Sequence, residues 1–277
     1  MVLATTIYYH SHYRYVVRGW WGCFSPLCML ALRLDPKIAI GSALVTELFG
    51  FTSGLVAYYK AKLIDFKLAK ALLMFSVPAA ILGTAYGGLI PPIVLKTIFA
   101  VGLLFIGYQL FSAWRKEERE KQEAEFVKEF AHNFESTLTD SKGNVFNYTV
   151  CNKNMGRMFA VIGGAFLGMI SVGLAELQEY HLVARCKVPT PVAVATSVFV
   201  VVVTVLVASL GHFYEFAKEG AEVMSQVVNI VMFTIPGVVI GGQLGPILQK
   251  SVPEDKMKVS ISLLFILIGG LMLYTLI

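Results

Sequence analysis

The sequence predicts an all-α polytopic membrane protein made of two homologous repeats of about four transmembrane helices each, set in parallel orientation. Three observations predict it. Of 277 residues, 56% are hydrophobic and only 15% charged, where a soluble domain carries about 25% charged residues. The apolar residues fall in runs of about 18 or more, long enough to cross a hydrocarbon core about 30 Å thick as helix. Segments of the first half also recur, in the same order, in the second.

The chain opens on MVLATTIYYHSHYRYVVR, where Arg14 and Arg18 make a poor span and the arrangement of a signal peptide is missing. Either the opening helix of repeat one is degenerate or missing, leaving seven spans instead of eight, or the start is misassigned; the second reading is the expectation. Clear apolar runs follow from Ile38 to about Tyr58, Ala71 to Ile90 and Ile93 to Ala113, with the basic stretch KAKLIDFKLAK after the first and a Pro91–Pro92 turn after the second. Composition then shifts. RKEEREKQEAEFVKEF pairs Glu117 with Lys121 and Glu125 with Lys128 at helical spacing, and Phe126, Phe130 and Phe134 recur every fourth residue, the pattern of a helix that lays one face on a surface. STLTDSKGNVFNYTV places turn residues Asp140 to Gly143 between alternating segments and predicts a small hairpin. Apolar runs resume at about Met158–Ala175, Val192–Gly211, Val227–Leu248 and Val259–Ile277. The units are residues 1–113 (first repeat), 114–156 (linker) and 157–277 (second repeat).

The repeat rests on several matches. IAIGSALVTELF from Ile38 matches VAVATSVFVVVV from Val192, and VPAAILGTAYG from Val77 matches IPGVVIGGQLG from Ile235. Both copies place a proline before GxxxG: Pro78 with Gly83 and Gly87, Pro236 with Gly241 and Gly245. PPIVLK from Pro91 matches PEDKMK from Pro253, so the offset drifts only from about 154 to about 162. Duplicated halves are a recurrent transporter plan with the solute site between them. An even number of spans per half gives both the same orientation. Lys and Arg asymmetry puts the linker, with eight such residues from Trp114 to Arg157, and the loop carrying Lys60, Lys62, Lys67 and Lys70 on the cytoplasmic side of the plasma membrane. In a parallel arrangement the second half supports this poorly, because its inner loop has only Lys218 and its outer loop has Lys250, Lys256 and Lys258.

Candidate chemistry sits inside the spans. Glu47 lies near the middle of the first clear run with Ser42, Thr46, Thr52 and Ser53 around it. A charge at bilayer centre costs about 2.5–3.5 kcal/mol on insertion scales, so Glu47 reads as a proton carrier or solute-path residue; the alternative is a protonated glutamate bonded to a neighbouring helix. Its repeat partner is Val201, which makes such a site asymmetric. GGAFLGMISVGLAELQEYHL, from Gly163, collects Gly163, Gly164, Gly168 and Gly173 before Glu176, Gln178 and Glu179. Each glycine costs about 1 kcal/mol in a helix interior, and a broken helix at membrane depth is tolerated where it lines a cavity. Its free amides suit an anion; the Glu176 carboxylate repels one unless protonated, which suggests proton coupling. The alternative is an ordinary helix whose acidic end emerges into water. Gly41–Ser42 and Ala195–Thr196–Ser197 occupy matching places, read as the starts of matching spans where small residues expose backbone donors; hydroxyls bonded to their own helix are the other reading. His212, placed at the inner end of its span, is a candidate proton relay or a structural interfacial histidine.

Other classes find no support. Cys23, Cys28, Cys151 and Cys186 lack short paired spacing and read as packing residues, with neither a zinc site nor a disulfide framework. No basic stripe or motif points to nucleic acid, and no HExxH, GxSxG, Walker loop or cofactor fingerprint is present, so no catalytic residue, metal or cofactor is assigned.

The repeat block resembles the sulfite exporter family TauE/SafE, a group of integral membrane permeases. The resemblance is carried by LDPKIAIGSALVTELFGFTSG from Leu34, VGLAELQEY from Val172 and PTPVAVATSVFVVVVTVLVASLGH from Pro189, and covers about residues 19–113 and 157–277. It implies two related four-helix halves and export or uptake of sulfite, sulfonates or similar sulfur-containing or organic anions. SVGLAEL stands close to the family's glycine-rich hallmark with glutamate in place of a third glycine. The first copy departs further, since Gly19 matches Gly173 and Gly22 matches Glu176 to give GWWG. The expected function is a secondary transporter of a small anion, with proton coupling as an option; homo-oligomerisation is left open. The alternatives are an intramembrane enzyme, a membrane subunit without transport of its own, or a passive channel.

Overall fold

Short polar side chains and prolines set where the helices start. Asp35 accepts from the Lys37 amide at 2.9 Å and Pro36 takes the first position of α1 (Pro36–Lys60), where its missing N–H has no helical partner to lose. Asp65 caps α2 (Phe66–Gly87) through the amides of Lys67 and Leu68. These elements belong to a computed structural model that describes residues 34–112 (apart from 88, 92, 95, 96, 99, 106, 109 and 110), 136–186, 188–249 and 254–274. The opening stretch, the GWWG copy, Cys23, Cys28 and the charged helix with Phe126, Phe130 and Phe134 lie outside the described residues.

Helical residues between 93 and 112 follow α2. After the linker, β1 (Ser136–Thr139) pairs antiparallel with β2 (Val145–Tyr148). Asp140 holds their turn by accepting from the amides of Lys142 and Asn144, with Gly143 at φ 84°, a conformation glycine adopts without strain. Asn152 then caps α3 (Lys153–Ile170), which stops at Ser171 in the left-handed region. After a three-residue break, α4 (Leu174–Glu179) runs straight into a π-helical stretch, Tyr180–Arg185. The remaining helices are α5 (Thr190–Glu219), α6 (Ala221–Gln249) and α7 (Glu254–Tyr274). Among the described residues, four helices are long and apolar enough to cross a membrane: 37–60, 66–87, 190–219 and 221–240.

Contacts give the directions. Ile38 clusters with Phe216 at one end of the α1–α5 pair, and Tyr58 with Val194 and Val198 at the other, so α1 and α5 are antiparallel. The Thr46 and Thr234 hydroxyls bond at 2.7 Å and Ile38 meets Val227, so α6 runs alongside α1 in the same direction. Ser76 and Thr204 bond at 3.0 Å and Gly211 lies against Thr84, so α2 runs with α5. Gly107 packs on Ser262 while Gly269 packs on Ala100, which makes α7 antiparallel to the 93–112 segment.

The spans matched by sequence, α1 with α5 and α2 with α6, therefore run in opposite directions, which corrects the parallel orientation. The reason is parity. The run read as a span at Met158–Ala175 does not exit on the far side: α3 enters, the chain breaks at 171–173, and α4 with the π stretch comes back. Leu174 lies on Gly163, Phe159 meets the rings of Tyr180 and His181, and a Cys151–Cys186 disulfide ties the two ends together. A hairpin that returns contributes no crossing. The disulfide also corrects the reading of these two cysteines as separate packing residues; a separation of 35 residues closes only because the hairpin brings its ends together.

Reversal of the second half also changes the charge pattern. Lys256 and Lys258, at the start of α7, fall on the linker side, and Lys218, near the end of α5, falls on the opposite side. His212 is then at the end of its span away from the linker. The hairpin sits tightly against α2. A Cβ on Gly164 would strike the Ser76 carbonyl, on Gly168 the Ala80 carbonyl and on Gly83 the Ala165 carbonyl; such contacts let backbones approach where lipid offers no hydrophobic drive.

Candidate functional site

Three stretches far apart in sequence meet at one small cavity. Its walls are Glu47 and Phe51 of α1, Leu167 of α3, residues 171–176 of the broken hairpin and Val201 of α5, and its volume is ≈ 20 Å³. That holds about one water molecule. Glu47 is only 4% exposed, in the middle of α1. Val201, the residue that the sequence match sets against Glu47, faces the same space, so the two matched spans present a carboxylate and an isopropyl group to one cavity.

The break is built by conformation. Ser171 sits at φ 57° and Gly173 at φ 110°, values that end a right-handed helix. Glu176 folds back over it, and the Gly173 amide donates to its Oε2 at 3.0 Å. The backbone donor at the break is thus held by the protein's own carboxylate. Ser171 is 3% exposed, and its hydroxyl has no hydrogen-bond partner among the described residues. It lines the cavity and was not singled out from the sequence, although it lies inside the glycine-rich stretch.

Of the sequence candidates, Glu47, Glu176 and Gly173 come together here. The others do not. Gly41 and Ser42 lie in the second turn of α1, and Thr196 and Ser197 in the second turn of α5, because the Asp35–Pro36 and Thr190–Pro191 starts precede them. Their amides sit inside helices, which corrects the reading of exposed N-terminal donors. They also occupy opposite ends of the α1–α5 pair. Gly41 lies under the Phe216 ring and beside His212. Thr196 accepts from the Asp65 amide at 3.0 Å, and Asp65 Oδ2 in turn accepts from the Tyr148 hydroxyl of the hairpin at 2.7 Å. The hydroxyls of Ser42 and Ser197 are buried without a partner among the described residues. His212 lies outside the cavity wall; its Nε2 meets the Gly168 carbonyl at 2.9 Å, three residues before the break.

A broken helix and a buried glutamate around one cavity do not by themselves name a family; comparison with known proteins does. The family profile described as "Sulfite exporter TauE/SafE" matches residues 23–272. The chain belongs to the TauE/SafE family. Among curated proteins it is similar to the "Probable membrane transporter protein YunE" of Bacillus subtilis (strain 168), at 23% identity over 252 residues, covering 90% of this chain and 85% of that one. No solved structure matches it. TauE/SafE members are membrane transporters, so this chain is a multi-pass membrane transporter and not an enzyme, and the intramembrane-enzyme alternative is set aside.

Proposed function

We propose that this protein is a secondary transporter that carries a small anion, sulfite, a sulfonate or a related sulfur-containing or organic anion, across the plasma membrane with proton coupling. The observation that carries the reading is the convergence of Glu47 with the broken segment 171–176 on one buried cavity. The roles follow from the chemistry. With Glu176 ionised, its Oε2 occupies the Gly173 amide. Protonation weakens that bond and removes the charge, which frees the amide to join the unpartnered Ser171 hydroxyl in holding an incoming oxyanion. Glu47, on the facing wall, carries a proton that offsets the anion's charge at membrane depth. The opposite directions of the sequence-matched spans support an inverted repeat, a plan in which the halves rock about a midplane site to open it first to one side and then to the other. Among the described residues, Lys142, Lys153 and Arg157 of the linker share one side with Lys60, Lys62, Lys256 and Lys258 in this arrangement, which supports a cytoplasmic linker. Gly41, Ser42, Thr196, Ser197 and His212 belong, in this reading, to the closures at either end of the path.

The test is labelled sulfite flux in sealed vesicles carrying the purified protein, under an imposed pH gradient. Saturable flux that follows the gradient is expected, collapsing in Glu47→Gln and Glu176→Gln while both variants still insert. Normal flux in both variants removes the carboxylates from coupling. Gradient-independent, non-saturating flux makes the protein a passive channel, and absence of flux for sulfite, sulfonates and small carboxylates alike removes the anion reading.

A further inference from the structure

We propose that Cys151 and Cys186 form a reversible disulfide on the cytoplasmic face, a thiol-modification site that locks the cavity-bearing hairpin. It rests on the cytoplasmic placement of the linker side and is independent of which solute is carried. Cys151 directly precedes the α3 cap and Cys186 directly follows the π stretch, so one covalent bond ties both feet of the hairpin whose tip supplies residues 171–176 to the cavity. The return arm is otherwise held at its foot by noncovalent contacts: the His181 ring over Gly156, and Phe159 edge-on to Tyr180 and His181. Opening the bond lets the arm carrying Glu176 move relative to α3.

The surroundings suit exchange. Both cysteines are half-buried, within reach of a small thiol. Cys186 Sγ lies 3.6 Å from His181 Nε2, so the ring is placed to donate a hydrogen bond to the thiolate that leaves, and a hydrogen bond to the charged form favours it. The Cys151 carbonyl lies 3.3 Å from the same sulfur, so the reduced thiol has an acceptor in place. A low-molecular-weight thiolate attacks Cys151 Sγ, the S–S bond breaks, and Cys186 leaves as the stabilised thiolate and takes a proton. A second thiolate then displaces Cys151 from the mixed disulfide. Two thiols become one disulfide and the protein gains two S–H groups, so the electrons balance. In the thiol-rich cytoplasm a disulfide is seldom a permanent fixture and usually a redox-responsive one.

Two measurements on the full-length chain test this, in a Cys23→Ser, Cys28→Ser background so that only this pair reports. In intact cells, a membrane-impermeant maleimide after an impermeant reductant should leave the pair unlabelled, while a permeant maleimide should show it moving to the oxidised form under diamide and back on recovery. Labelling from outside, or a redox state that never changes, overturns the proposal. In lipid nanodiscs, dithiothreitol should raise amide exchange across 174–186 by roughly fivefold or more with α1 and α5 unaffected, and Cys186→Ser should exchange rapidly with or without reductant. Unchanged exchange in the reduced background chain, with Cys151 and Cys186 both present, overturns the lock even if the Cys186→Ser variant fails to fold. Neither readout involves sulfite, so failure of the solute assignment leaves both results intact, and a wrong orientation shows as labelling from outside.

Discussion

At the linker end of the α1–α5 pair, a chain of polar groups holds the helices together: the Tyr148 hydroxyl donates to Asp65, the Asp65 amide donates to Thr196, and the Ser141 amide donates to the Ala61 carbonyl. At the opposite end the same two helices meet through packing, with Gly41 under the Phe216 ring, Ile38 and Val227 around it, and one long ion pair between Lys37 and Glu219 at the rim. Hydrogen bonds are directional and break as a unit when one partner goes. Apolar contact is graded, so ring and helix can slide. The difference suggests a latch on one side of the cavity and a sliding seal on the other.

The latch should fail hardest at Asp65. Its two oxygens accept from Lys67, Leu68 and Tyr148. Asp65→Ala removes a helix cap and leaves the buried Tyr148 hydroxyl unsatisfied, for a total of about 2–4 kcal/mol, read as a lower thermal midpoint of the purified protein in detergent. Asp65→Asn should recover most of the cap portion. A loss no greater than that of an exposed substitution would mean the latch holds nothing.

At the seal, Gly41→Ala forces a Cβ into the Phe216 ring, and overpacking of this kind costs about 1–3 kcal/mol. Phe216→Leu in the same chain should relieve it, so the double variant loses less than the sum of the two singles. Strict additivity would show that the two residues do not share the contact.

Tyr148→Phe tests the latch more gently, at about 1–2 kcal/mol for one hydrogen bond to a carboxylate. Burial first, then the Asp65 hydrogen bond and charge, push the Tyr148 hydroxyl above its ordinary pKa. A group raised in the folded state contributes stability that is fully present below its unfolded pKa of about 10 and is lost as pH rises beyond it. Wild type should therefore lose stability above about pH 10 more steeply than Tyr148→Phe. Parallel alkaline curves would refute the coupling.

Much of this comparison was legible in the residues, and some of it could not be. Hydropathy located α1, α2, α5 and α6, and the clustering of Gly163, Gly164, Gly168 and Gly173 marked the segment that breaks, because lost helix propensity is a local property. Direction is not local. It depends on whether the stretch after Met158 exits or returns, and an apolar run reads the same in both cases; counting it as a crossing made the halves parallel. The lysines near α7 carried the missing signal, since their place on the outer side was the one conflict with the charge rule. The Cys151–Cys186 bond was hidden for the same reason, being a consequence of the return. Asp65 passed as one acid in a basic loop because its partners Tyr148 and Thr196 lie 83 and 131 residues away.

The weakest expected effect is at the rim of the seal. Lys37 and Glu219 approach only to 3.9 Å, with side chains 31% and 42% exposed. Two long side chains in that setting lose rotamer freedom for a Coulomb gain that water screens, and such pairs contribute about 0–1 kcal/mol. Lys37→Ala should therefore shift the thermal midpoint barely at low salt and not at all near 1 M, where the screening length falls to about 3 Å. Asp65→Ala, whose bonds are short and partly buried, should keep its full effect at both salt concentrations. If Lys37→Ala instead matched Asp65→Ala and resisted salt, the seal would be a second polar latch, and the asymmetry between the two ends would have to be abandoned.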